Sequence, residues 1–137
     1  MVVSHQSGKA LMHEALLYTA AVLAVGVATT HSLLGERYLI GPILAEAALG
    51  ASMLRSGLSR RVLRFAWHLT SLSWIAEGAL FAIAASMPPA QSRPIAGVIG
   101  VSFLLSAAIS IAISRGRHVG WPMLAAVGLA ALASVVV

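Results

Sequence analysis

The chain of 137 residues contains no cysteine and no aspartate, and only 9% of its residues are charged. Without cysteine it forms no disulfide, offers no thiolate to a metal and has no cysteine nucleophile. Soluble domains carry roughly 25% charged residues. A soluble domain of this size could not bury the apolar surface that such a composition creates. These absences exclude an ordinary soluble fold and thiol-based catalysis.

Apolar residues make up 59% of the chain, and the mean hydropathy is +0.92. They form four runs, each close to the roughly 17–25 residues that a membrane-spanning helix needs. Backbone polar groups in hydrocarbon must be paired within the segment, so each run is predicted to be a helix. The predicted spans cover about residues 11–35, 62–86, 95–114 and 119–137.

The stretch between the first two runs is too polar at its ends to cross a membrane. Its centre places apolar residues at helical spacing from about residue 40 to residue 55, with Gly41-Pro42 at the start. We predict an amphipathic helix lying at the interface, and a re-entrant segment is the alternative. The expected fold is an all-α integral membrane protein. It is a single domain, residues 1–137, with four transmembrane helices in an antiparallel bundle and this interfacial helix between helices one and two.

Basic residues are distributed unevenly over the predicted loops. Seven lie in or beside the two loops expected on one side, and two lie on the other side. The seven are Arg37, Arg55, Arg60, Arg61, Arg64, Arg115 and Arg117, and the two are Lys9 and Arg93. This bias predicts cytoplasmic loops and both termini outside, in what we expect to be a bacterial cytoplasmic membrane. Anionic lipid is the expected partner of the arginines, and nucleic acid is not.

Two histidines fall at one predicted depth near the cytoplasmic ends of the first two spans. His31 and His68 lie roughly 6–9 Å below the interface at about 1.5 Å per residue. Glu36 lies about 140° around an ideal helix from His31 and reaches the same site only if the helix ends or unwinds at Gly35. Two imidazoles and a carboxylate are suitable ligands for Zn, Fe, Mn or Cu, and two facing imidazoles suit haem. The alternative is that both histidines are interfacial hydrogen-bonding groups.

Glu77 lies deep in the second span, where ionisable residues are rare and the neutral carboxyl is favoured. On the first span Glu14 and Tyr18 share a helix face at i, i+4 spacing. These two groups, or His13, are the expected partners of Glu77. A buried carboxyl suits a proton carrier or a catalytic acid, and the alternative is a hydrogen bond that joins two helices.

The first of three candidate functions is binding of a transition metal or haem for redox or metal-dependent chemistry on a lipophilic substrate. His31, His68 and Glu36 are then the metal ligands, with Glu36 also a candidate general base. Arg37 and Arg64 would hold an anionic head group. Glu77 is the second candidate catalytic residue of the chain, and enzymatic activity itself is left open.

The other two candidates are a proton-coupled transporter of a small solute, using Glu77 or Glu14, and a structural or accessory membrane subunit. In architecture alone, four spans with a glutamate in the first, the chain resembles the small multidrug-resistance transporters. A homo-oligomer is expected, with small-residue seams on the last two spans at its interface. His5 and His118 lie outside the buried parts of the predicted spans and are expected to have no role.

Overall fold

Helices account for nearly all of the described chain. The computed structural model describes residues 2–49 and 56–137, with side chains for residues 7–47 and 56–137. These residues form α1 (Val2–Gly35), α2 (Gly41–Leu49), α3 (Gly57–Ala85), α4 (Pro89–Ser114) and α5 (Gly120–Val136), and a π-helical segment, Glu36–Ile40, joins α1 to α2. The predicted all-helical class is confirmed.

Three helices in the described part of the chain are long and apolar enough to cross a membrane. They are Ser7–Ala47, which runs through α1 and α2, Gly57–Ala85 and Pro89–Ser114. The helix at the predicted fourth span, α5, is apolar but has only 17 residues. Large apolar side chains face outward, with Val22 72% and Val98 74% exposed. A surface of this kind is stable in lipid and unfavourable in water.

The sequence predicted that the first span ends near Gly35, but the structure continues as helix past Gly41. The Gly41 N–H donates to the Glu36 carbonyl oxygen, one residue further back than in an α-helix. This wider turn precedes Pro42, which has no N–H to give. Burial of Ile40 and Leu44 favours continuation of the helix past this point. The predicted interfacial helix is thus a continuation of α1 as far as Leu49, and residues 50–55 of it lie outside the described residues.

Two helices begin earlier than their apolar runs. α3 begins at Gly57 because the Ser56 hydroxyl accepts the Ser59 N–H at 3.0 Å, which satisfies a donor of the first turn. α4 begins at Pro89, where a fixed backbone angle and a missing N–H suit the first helical position. Hydropathy therefore located the apolar segments correctly but not the start of either helix.

The core lies along one face of α1, which packs against α3 and α5, while α4 packs against α5. Ala20, Ala24 and Val27 are buried on that face, which is therefore a packing surface. The largest fully buried apolar side chains are Leu17 on α1 itself and Phe81, Phe103 and Val127 on α3, α4 and α5. The apolar core is thus built from small residues on α1 and two phenylalanines from α3 and α4.

Small residues allow α4 and α5 to approach closely. A Cβ on Gly128 would lie 2.8 Å from the Gly100 carbonyl oxygen, and one on Gly100 would lie 3.0 Å from the Ala131 Cβ. Close backbone contact of this kind is common between helices in membranes. The seams that we expected at a homo-oligomer interface are therefore used within the chain, and the oligomer stays a prediction.

A buried polar node joins the beginning of α1 to α4 and α5. His13 is 3% exposed. Its Nδ1 lies 2.7 Å from the Ser134 carbonyl oxygen and its Nε2 lies 2.7 Å from the Ser92 hydroxyl. Since a carbonyl only accepts, Nδ1–H is the donor, and Nε2 of the neutral ring accepts from Ser92. The node ties three helices together with both ring nitrogens used.

Candidate functional site

A cavity of about 380 Å³ opens between the end of α1, the middle of α3 and the beginning of α5. Its apolar and aromatic walls include Val27, Leu34, Tyr38, Leu39, Trp67, Trp74, Met123 and Leu124, and two histidines, His31 and His118, also line it. Ligand sites in proteins are typically apolar concavities of roughly 300–1,000 Å³ with a few polar groups. This cavity has that character.

The His31 ring is held between two indoles. It stacks on Trp67 with centroids 4.1 Å apart and planes 11° apart, and it meets Trp74 edge-on at 4.9 Å. His31 Nδ1 lies 2.9 Å from the Ser71 hydroxyl, and Trp67 Nε1–H donates to the His31 carbonyl oxygen at 3.2 Å. With Nδ1 engaged, Nε2 is the ring nitrogen that a ligand can use.

Gly35 makes this arrangement possible. A Cβ added there would overlap the Trp67 indole, so only glycine lets the ring lie this close to α1. The glycine therefore contributes close packing inside a helix, and the helix does not end or unwind there, as a site shared by His31 and Glu36 would have required. Its backbone is right-handed helical.

His118 projects from the connection between α4 and α5 and has a defined tautomer. Its Nδ1 accepts the Gly120 N–H at 3.1 Å. The Ser110 hydroxyl lies 3.4 Å from the same nitrogen. In the neutral imidazole the proton then resides on Nε2, so His118 offers a hydrogen-bond donor. We expected no role for this residue, and in the structure it lines the cavity.

A second polar chain holds the ends of α1 and α3 together. The Ser32 hydroxyl lies 2.6 Å from His68 Nδ1, and His68 Nε2 lies 3.3 Å from Glu36 Oε2. Arg64 binds the same carboxylate through Nη2 to Oε1 at 2.9 Å and Nε to Oε2 at 3.2 Å. The carboxylate only accepts, so Nε2–H of His68 donates to it and Nδ1 accepts from Ser32.

The predicted metal ligands fall into two separate groups. His31 lines the cavity, whereas Glu36 binds His68 and Arg64. Both ring nitrogens of His68 have protein partners, which leaves no lone pair for a metal. In the parts of the chain with described side chains, no group of three or more His, Asp or Glu residues could hold a metal ion.

The two predicted anion-binding arginines have different partners. The Arg37 guanidinium lies 5.4 Å from the centroid of the Tyr38 ring, at a distance typical of a cation–π contact. Arg64 forms the bidentate pair with Glu36. Arg37 thus contacts an aromatic ring and Arg64 a carboxylate, and both partners belong to the protein.

Glu77 keeps an unusual environment. Its Oε2 is buried and has no hydrogen-bond partner. The expected partners face elsewhere in the described structure: Tyr18 is 46% exposed, Glu14 is exposed, and His13 binds Ser92 and Ser134.

Residue spacing along α1 and α3 indicates two helix faces of the site that our sequence analysis did not predict. Ser32 and Glu36 are four residues apart and share a helix face, which is the face that holds His68. Trp67, Ser71 and Trp74 follow the i, i+4, i+7 pattern of one face of α3, the face that receives His31. No local signal pointed to His118, which reaches the cavity through the tertiary fold.

Comparison of the chain with protein-family models, with curated proteins and with solved structures gave no match in any of the three. The geometry of the site is therefore the basis for its function.

Proposed function

We propose that this chain binds a lipophilic small molecule with a hydrogen-bond acceptor, in the cavity between α1, α3 and α5 and within the membrane. One observation carries the proposal. The cavity walls are almost entirely apolar and aromatic, and the two imidazoles among them each have Nδ1 held by the protein.

The imidazoles define the polar part of the ligand. His118 presents Nε2–H because its Nδ1 accepts the Gly120 N–H, so an acceptor such as a carbonyl oxygen is its natural partner. His31 is adaptable, since the Ser71 hydroxyl can donate to Nδ1 or accept from it. An acceptor opposite His118, and an acceptor or a donor opposite His31, would satisfy the site.

The walls define the apolar part. The Trp67 and Trp74 indoles, with the His31 ring against both, give the cavity aromatic walls, which favour a ligand with a planar aromatic group. Leu34, Leu39 and Tyr38 line the same cavity and are 48%, 43% and 67% exposed. These half-covered residues would let a molecule enter directly from the lipid.

The Ser32–His68–Glu36–Arg64 chain has a positioning role in this proposal. It holds the end of α1 against α3, and these two helices carry His31 and its two tryptophans. The ligand itself touches none of these four groups. The same chain accounts for His68 and Glu36 without a metal.

Binding of 2-methyl-1,4-naphthoquinone tests the proposal. This flat probe carries two carbonyl acceptors and quenches tryptophan, so saturable quenching of the purified protein in mild detergent reports occupancy. 2-Methylnaphthalene has the same shape without acceptors and should compete roughly 10-fold more weakly, as loss of about one hydrogen bond predicts. His118→Phe should weaken quinone binding by a similar factor and leave methylnaphthalene binding unchanged.

Two results would contradict the proposal. One is equal binding of the two probes, which would mean partition into detergent or an apolar site with no polar recognition. The other is unchanged quinone binding in Thr30→Trp, whose indole should fill the cavity. Metal content and the visible spectrum of the same preparation test the metal or haem site and its redox chemistry, which stay predictions.

The proposed topology is an antiparallel bundle of four spans with both termini outside a bacterial cytoplasmic membrane. Seven basic residues against two support it. The fourth span would be α5, whose 17 residues reach about 26 Å at about 1.5 Å per residue. This is at the short end of the spanning range.

Glu77 supports a second candidate function, proton-coupled transport. The observation in its favour is the buried carboxyl oxygen without a partner, in a helix long enough to span. Proteoliposomes that carry a pH-sensitive dye should take up protons under an imposed gradient, and Glu77→Gln should abolish the uptake. Glu14→Gln, at an exposed position, is the matched control, and unchanged uptake in Glu77→Gln would remove Glu77 from any such mechanism.

A further inference from the structure

A second cavity lies at the beginning of α3, apart from the one lined by the histidines. Its volume is about 430 Å³. α2 contributes Gly41, Leu44 and Ala45, and α3 contributes Gly57, Arg60, Arg61 and Arg64. None of these lining residues is acidic. Three guanidinium groups and a short apolar wall thus share one concave surface.

The sequence spacing brings the arginines together. Arg60 and Arg64 are four residues apart and so share a face of α3, and Arg61 is the next residue along the helix. Arg64 uses two of its N–H donors on Glu36 and has others left, since a guanidinium carries five. Glu36 also holds Arg64 in place at the wall of the cavity.

A cluster of this kind suits a phosphate group. Guanidinium groups bind phosphate through paired, charge-assisted hydrogen bonds, and juxtamembrane arginines attract anionic lipid. The apolar wall formed by Leu44 and Ala45 adds a surface for the glycerol and first methylene groups beside the phosphate. This cavity is formed by the predicted cytoplasmic end of α3, where anionic head groups lie.

We infer that Arg60, Arg61 and Arg64 form a binding site for the phosphate of an anionic phospholipid head group. The inference is independent of the lipophilic ligand proposed above, since the two cavities share no lining residue. A soluble phosphate compound offers the same chemistry, and the experiment separates the two sources.

The test is a calorimetric titration of the full chain in non-ionic detergent with short-chain phosphatidylglycerol. Each arginine near an anionic surface is worth about a factor of five, so Arg60→Gln/Arg61→Gln should weaken binding roughly 25-fold. Arg115→Gln/Arg117→Gln removes the same charge at another predicted cytoplasmic loop and should leave binding unchanged. An unchanged thermal unfolding midpoint in the same detergent shows that each variant is folded, and Arg61→Gln alone, at an exposed position, should give about a five-fold loss.

The remaining arms separate the possible outcomes. Short-chain phosphatidylcholine, which has a phosphate but no net charge, should bind more weakly than phosphatidylglycerol. Inorganic phosphate that displaces the lipid at equal concentration would show that the cavity binds a soluble phosphate instead and would overturn the lipid assignment. Equal loss in the two double variants would mean diffuse attraction to basic residues, and absence of saturable binding would remove the site altogether.

Discussion

Histidine serves three purposes in this chain, and the partners of each ring decide which. His13 is buried, and both its nitrogens join helices. His68 is half-exposed with both nitrogens engaged by Ser32 and Glu36. His31 and His118 each have one nitrogen fixed by the protein and line the same cavity. Among the four histidines whose side chains the structure describes, this last pair is the one arranged to meet a ligand.

Replacement of His13 should destabilise the protein more than replacement of any exposed histidine. In His13→Phe the Ser134 carbonyl, one of the last carbonyls of α5, loses its donor, and the Ser92 hydroxyl loses a short hydrogen bond. Loss of partners for two buried polar groups should lower the free energy of unfolding by about 2–3 kcal/mol. Thermal unfolding in detergent measures the loss, and His118→Phe is the matched control. Equal midpoints for the two variants would show that the node contributes nothing.

Two glycines of α1 should respond in opposite ways to alanine. Gly35→Ala pushes a methyl group into the Trp67 indole, so stability and quinone quenching should both fall. Gly26→Ala meets nothing within 4 Å and should raise stability by about 1 kcal/mol, because alanine is the better helix former. Unfolding midpoints of both variants, measured side by side, check this pair. A stabilised Gly35→Ala would mean that the indole moves freely.

Helix ends depend on residues that hydropathy does not detect. The apolar run 95–114 ends with α4 at Ser114, but α4 begins at Pro89, and α3 begins in the polar stretch at Gly57, where a serine caps it. The continuation of α1 past Gly35 runs through a π-helical turn, Glu36–Ile40, after which the Gly41 N–H donates to the Glu36 carbonyl oxygen, and no spacing pattern predicts that turn. The apolar pattern predicts where lipid is, whereas caps and tertiary contacts decide where a helix starts and stops.

The residues of the candidate site could be predicted in part, as the helices could. His31, His68 and Glu36 were identified because ionisable residues in apolar runs are conspicuous. Their division into two groups was not, because it follows from which face of α3 each one meets. His118 was unpredictable, since it reaches His31 across 87 positions of sequence through the packing of α5 on α1.

The end of α4 offers a test of a single strained residue. Arg115 closes the helix with a φ of 51°, a left-handed conformation that costs an ordinary residue roughly 1–2 kcal/mol. Arg115→Gly should therefore raise the free energy of unfolding by about 1 kcal/mol. Arg117→Gly, just beyond, is the control and should not stabilise. Thermal unfolding of both variants in detergent decides, and a loss of stability in Arg115→Gly would show that the side chain contributes more than the strain.

At the scale of the whole molecule, the exterior of the described helices carries many exposed apolar side chains, and exposed hydroxyls such as those of Thr19, Thr70 and Ser73 donate to carbonyl oxygens of their own helix. Three described helices can span a membrane, and the proposed orientation adds α5 as a fourth. The two cavities both lie toward one end, the one that carries most of the arginines.

The absence of cysteine makes the orientation easy to test. Single cysteines at Leu58, 65% exposed, and at Gln91, exposed at the beginning of α4, can be labelled without background. In intact cells a membrane-impermeant maleimide should label Gln91→Cys and not Leu58→Cys, and permeabilised cells should show both. The reverse pattern would invert the topology and move both cavities to the outer side.

The node at His13 also has a consequence for synthesis in the membrane. Its carbonyl partner, Ser134, lies 121 residues later in the chain. The helices are made in order along the chain, so His13 Nδ1–H has no partner until α5 has been made, whereas Nε2 can bond Ser92 as soon as α4 is present. The hydrogen bond from His13 Nδ1–H to the Ser134 carbonyl oxygen therefore forms only once α5 has packed against α1. A chain stalled before α5 would leave the His13 Nδ1–H and the face of α1 that packs on α5 uncovered.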